Sequence, residues 1–109
     1  MIYLRKQLEA ELAAISGVTL ALFKDTDLLC MTYNGKDIAH FHNGLSELDI
    51  RIPTKFVKRH GLGEPYTSAN HPNRSKKSIW RAIPYRSESD VNALVELVKT
   101  LVVEEYQAT

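Results

Sequence analysis

Leu4, Leu8, Leu12 and Ile15 recur every three or four positions before the chain reaches Ser16-Gly17. This spacing stacks four aliphatic side chains on one face and predicts a helix over 2–15, stopped by glycine. The period then changes. Residues 18–23 and 28–33 read as strands, separated by the turn Lys24-Asp-Thr-Asp27. Asn34-Gly35 tolerates positive φ at both residues, so it predicts a type I′ hairpin turn into a third strand over 37–42. A second Asn-Gly at 43–44 leads into a fourth strand over 46–52. Pro53 opens a short helix over 54–60, and Gly61 closes it. Residues 61–78 are loop, dominated by Gly, Pro, Ser, Asn and Lys. A fifth strand follows over 79–83, with Pro84 suited to a strand end or a sheet edge. Ser87 is placed to cap a last helix, along which Val91, Leu94, Val95, Val98, Leu101 and Val102 trace an apolar stripe.

This order predicts one α+β domain over 1–109. Its antiparallel sheet has about five strands in a meander, with the N-terminal and C-terminal helices packed on one face. A two-residue turn at Asn43-Gly44 sets a register in which His42 faces Leu45, His40 faces Glu47 and Ile38 faces Asp49. Alternation then puts His40, His42, Glu47, Asp49 and Arg51 on one face, and Ala39, Phe41, Leu48 and Ile50 on the other. Carried back through Asn34-Gly35, the same logic adds Leu20, Leu22, Leu29 and Met31 to the histidine face and turns Cys30 toward the apolar core. The helices are expected on the Phe41 face. The apolar half of the histidine face would then be left for a ligand, a protein partner or a second copy in a homodimer.

Composition narrows the class. A chain of 109 residues, 44% hydrophobic and 25% charged, suits one globular core. No apolar run approaches the roughly 20 residues that span a bilayer, and the N-terminal segment soon carries acids. These features predict a cytoplasmic protein with no membrane association. The single cysteine, Cys30, excludes an internal disulfide and a thiolate cluster. The net charge of +1 is unevenly spread: residues 51–86 hold nine Lys or Arg against one acid, Glu64. Such a segment can hold a phosphate, a carboxylate or an acidic partner.

The candidate chemistry gathers on the histidine face. His40-Phe-His42 puts two imidazoles about 6–7 Å apart along one strand. With Glu47 or Asp49 across the ladder, or His71 from the loop, they could bind a divalent metal. His40 paired with Glu47 could instead act as a general base. An anionic ligand would use Arg51 with Arg74, Lys76, Lys77 and Arg81, with Glu64 delivered by the Gly61-Leu-Gly-Glu64 bend. Nucleic acid could stack on Tyr66 and Trp80, but the near-neutral chain offers no recognisable reading helix. No motif specifies a reaction or a cofactor.

Four segments carry a family resemblance: Ala39-His-Phe-His42, Leu48-Asp-Ile-Arg51 followed by Pro53, Gly61-Leu-Gly-Glu64, and Pro84-Tyr-Arg-Ser-Glu-Ser-Asp90. In these, residues 38–101 resemble small bacterial "luciferase family" or luciferase-domain proteins of uncharacterised activity. The resemblance implies a stand-alone α+β domain in which the His-x-His strand, Arg51 and Glu64 share one site. The chain departs from the family at Leu62, where tryptophan is usual, and at Tyr66, where a histidine is expected. The leading expectation is therefore a protein that binds a small anionic ligand or a protein partner at the His/acid/Arg face. A metal-binding or histidine-dependent enzyme at the same face is the first alternative, and nucleic-acid binding through 51–86 the second.

Overall fold

The computed structural model describes residues 2–107. Helix α1 (Ile2–Ala13) precedes strands β1 (Val18–Leu22), β2 (Leu29–Tyr33), β3 (Lys36–Phe41) and β4 (Glu47–Arg51). Helix α2 (Thr54–His60), strand β5 (Trp80–Pro84) and helix α3 (Glu88–Leu101) follow, and a π-helical turn, Val102–Tyr106, continues α3. The strands form one antiparallel sheet in the order β1-β2-β3-β4-β5, so the fold is the expected α+β meander. Pro84 lies on β5, an edge strand, where its missing N–H costs no ladder bond. No helix among the described residues is long and apolar enough to cross a membrane.

One face of the sheet carries the core. Met31, Ala39, Phe41, Leu48 and Ile50 are fully buried with Leu4, Leu8 and Leu12 of α1 and with Val91, Leu94, Val98 and Leu101 of α3. Each helix presents its stripe at three- and four-residue spacing, as amphipathic packing requires. Ser87 Oγ accepts from the Asp90 amide, and Asp90 Oδ2 accepts from the Arg86 amide, closing the start of α3 from both sides. At the other end, the Tyr106 hydroxyl donates to the Arg51 carbonyl and ties the π-turn to β4.

Two registers differ from those expected. At the second hairpin the loop has four residues, 43–46, because the His42 amide donates to the Glu47 carbonyl. Only Gly44 of the Asn-Gly pair has positive φ, whereas a type I′ turn needs it at both residues. Asn43 instead donates its side chain to the Asp27 carbonyl. Pairing therefore shifts by two: His40 faces Asp49, and the ladder amide of His42 engages Glu47, not Leu45. A shift of two preserves every face, so His40, His42, Glu47, Asp49 and Arg51 remain together.

The first hairpin does change faces. Thr32 pairs with Asp37 as Asn34-Gly35 dictates, but Met31 pairs with Ala39, leaving Ile38 as an extra residue in β3. This bulge slips the register by one and reverses β2 and β1 beyond it. Leu29 and Met31 consequently face the helices, with Leu20 and Leu22 beside them in register, rather than the histidine face. Cys30 turns to the histidine face, opposite His40, rather than into the helix-side core. The bulge lets Met31, Ile38 and Ala39 all enter the buried interior. It also replaces the expected apolar flank with Thr19, Ala21, Cys30 and Thr32, which removes the geometric argument for a homodimer through that flank.

Tyr85 is fully buried, and its hydroxyl finds no hydrogen-bond partner among the described residues. An unpaired buried hydroxyl carries a desolvation penalty with no compensating bond. Tyr85→Phe is expected to stabilise the protein by about 1 kcal/mol in urea unfolding. A loss of stability would show that the hydroxyl is satisfied in solution.

Candidate metal centre

The histidine face is covered by the loop joining α2 to β5, not by a helix. Beneath it, Glu47 and Asp49 are 3% and 4% exposed on a strand with neighbours on both sides. Carboxylates so buried need charged or hydrogen-bonding partners. The register supplies some space for them, because the β5 residue opposite Asp49 is Ala82.

The loop delivers those partners at a three-residue spacing. The His71 amide donates to the Ser68 carbonyl, and the Arg74 amide to the His71 carbonyl. Two successive turns of this kind stack residues i, i+3 and i+6 along one side. The Asn70 amide donates to Ser68 Oγ and braces the first turn. Ser68, His71 and Arg74 thereby all reach the β4 carboxylates.

Each contact has a defined geometry. Ser68 Oγ donates to Glu47 Oε1 at 2.6 Å, and His42 Nδ1 lies 2.9 Å from the same oxygen. Arg74 grips Asp49 with both terminal nitrogens, at 2.6 Å to Oδ1 and 2.9 Å to Oδ2. His42 Nε2 is 3.5 Å from Asp49 Oδ2, and His71 Nε2 is 3.7 Å from that oxygen. His42 Nε2 is buried and makes no hydrogen bond among the described residues. The two imidazole rings are tilted at 48° with centroids 5.1 Å apart. One donor atom each from His42, Asp49 and His71 lies within 4.8 Å of the others.

The electrostatics follow from these neighbours. The Asp49 carboxylate beside Nε2 is the largest influence on His42; it overcomes burial and, with Glu47, raises the imidazole pKa. Burial pushes Asp49 upward, but His42 and Arg74 outweigh it and hold the carboxyl well below its ordinary range. Burial acts likewise on Glu47, and hydrogen bonds from Ser68 and His42 prevail to lower it. Burial, helped by the Arg74 charge, lowers His71 and favours its neutral form. His42 thus has two satisfactory states. As an imidazolium it bridges two carboxylates. As a neutral ring donating Nδ1–H to Glu47, it presents the Nε2 lone pair beside a carboxylate oxygen, an arrangement that calls for a cation.

The remaining sequence candidates are outside the His42–Asp49–His71 donor set. His40 stacks on Trp80 with centroids 4.8 Å apart, and its Nε2 meets Asp37 at 2.7 Å. His40 therefore groups with Asp37 and Cys30 rather than with the donors around His42. Burial first, then Asp37, raises the Cys30 thiol and keeps it protonated. Glu64 is an exposed partner of Lys76 at 2.9 Å. Arg51 stands opposite Trp80, and Arg81 opposite Ile50 with its guanidinium on the Gly63 carbonyl at 2.7 Å. Lys77 is exposed on the loop. Sequence patterning points to neither Ser68 nor Asp37; the Ser68-x-x-His71-x-x-Arg74 spacing is the available signal for the first.

Comparison with protein-family models, curated proteins and solved structures finds no match for the chain.

Proposed function

We propose that this chain binds a divalent transition metal through His42 Nε2, Asp49 and His71, with a fourth position open to water or a ligand. The reading is carried by the buried Nε2 of His42, which makes no hydrogen bond among the described residues and lies 3.5 Å from Asp49 Oδ2, the oxygen that His71 Nε2 also approaches. In a tetrahedral site with bonds of 2.0–2.1 Å, donor atoms stand about 3.3 Å apart. The separations of 3.5 and 3.7 Å to the Asp49 oxygen approach that figure, and the His42 and His71 donor atoms lie within 4.8 Å of each other. Two imidazoles and one carboxylate suit zinc or ferrous iron.

The surroundings support the same reading. Glu47 on His42 Nδ1 is the usual outer partner of a metal-bound imidazole, fixing its tautomer and raising its basicity. Ser68 in turn orients Glu47, and Arg74 orients Asp49. With neutral histidines, Glu47, Asp49 and Arg74 sum to one excess negative charge, which a proton or a metal ion can offset. An anion held at this same point would have to displace Asp49 from Arg74, so the cation reading is favoured here. Two of the three ligands fall in the segments that carry the resemblance to luciferase-domain proteins.

Zinc titration of metal-free protein by calorimetry tests the proposal. One zinc per chain is expected, with His42→Ala weakening binding more than about a hundredfold and His40→Ala leaving it unchanged. Equal zinc uptake by wild type and His42→Ala would refute the site.

A further inference from the structure

A cavity of about 30 Å³ opens between the loop and β5, and His71 and Arg74 form part of its wall. That volume holds roughly two waters, so an occupant of a few heavy atoms is the scale that fits. Its polar lining is made of donors. Hydroxyl-bearing Tyr66, Thr67, Ser68 and Ser75 and the basic residues Arg74, Lys76 and Arg81, the last from the edge strand, line it beside apolar Pro65, Trp80 and Ala82, and no acid is among its described lining residues. Arg74 uses only two of its five N–H groups on Asp49.

Among the basic residues lining the cavity, Arg74 pairs with Asp49 and Lys76 with Glu64, whereas Arg81 makes no ion pair with a described residue. It is half-buried on β5, and its hydrogen-bonded partner is the neutral carbonyl of Gly63. Burial lowers its pKa, and the nearby Glu64 charge only partly opposes this. Glu64 itself is exposed and pairs with Lys76. Charge counting adds to the demand. A divalent metal with Arg74 exceeds the charges of Glu47 and Asp49 by one, and Arg81 adds another positive charge close by. His71 belongs to both the ligand set and the cavity wall, so the two sites meet there.

We infer that the cavity receives a small oxyanion, of phosphate or carbonate size, that completes the coordination of the metal and is held by Arg74 and Arg81. This rests on the metal site proposed above, and the experiment separates the two. Cobalt(II) substitutes for zinc and reports its coordination through visible absorption. Titrating inorganic phosphate into cobalt-loaded protein should give a saturable spectral change. Metal-free protein should bind phosphate at least about tenfold more weakly by calorimetry. Arg81→Gln should weaken phosphate binding about tenfold while leaving cobalt affinity within about twofold. If cobalt binds but its spectrum ignores phosphate, the oxyanion inference is overturned and the metal site stands. If phosphate binds Arg81→Gln as tightly as wild type, the anion does not use this cavity and the inference is again overturned. If cobalt does not bind, both readings fall.

Discussion

Asp49→Ala is expected to destabilise the metal-free protein by about 3 kcal/mol, the low end of the cost of breaking a buried ion pair. Asp49 is the joint of the polar layer: both of its oxygens hold Arg74, and one also faces His42 and His71. Removing it takes both carboxylate acceptors from a guanidinium and leaves the His42 imidazolium with Glu47 alone. Arg74 is 22% exposed on a loop and can turn toward water, which keeps the cost near the low end. Urea unfolding measures this directly. The companion variant Arg74→Ala, alone and combined with Asp49→Ala, gives the coupling energy, and the double variant should be less destabilised than the two singles added. A cost below about 1 kcal/mol for Asp49→Ala would mean that the pair behaves like an exposed ion pair.

Glu47→Gln is expected to weaken zinc binding by a factor of roughly 10 to 100, although Glu47 is not a ligand in this account. Its carboxylate lies against His42 Nδ1, so it directs the Nε2 lone pair inward and makes the ring a stronger donor. Glutamine keeps an oxygen that can accept from Nδ1–H and from Ser68 Oγ, but it removes the charge. Ser68→Ala disturbs only the orientation of Glu47 and should have a smaller effect. Calorimetry on the wild type and the two variants gives the order. Unchanged affinity in Glu47→Gln would show that His42 does not ligate through Nε2.

The residues of the polar layer on β3 and β4 were legible from alternation alone. His40, His42, Glu47, Asp49 and Arg51 share a face under either hairpin loop length, because a shift of two residues conserves side-chain direction. Their partners were not legible, since they depend on whether 43–46 closes as a two- or four-residue loop. The faces of Leu29, Cys30 and Met31 were lost to a single extra residue, Ile38. The bulge is favoured by burying Ile38 and Met31 together, a tertiary gain that no local period records. Ser68, His71 and Arg74 were hidden for another reason: a polar loop has no apolar stripe, and its side-chain directions come from consecutive turns. Glu64 follows the bend to the surface, where it pairs with Lys76.

The most direct test of the metal centre is anomalous diffraction at the zinc edge from crystals grown with one equivalent of zinc. A peak is expected about 2.0–2.2 Å from His42 Nε2, a His71 nitrogen and an Asp49 oxygen, with Glu47 retained on His42 Nδ1. Zinc found only at Cys30, Asp37 and His40, or only at the exposed pair His60–Glu104, would contradict it.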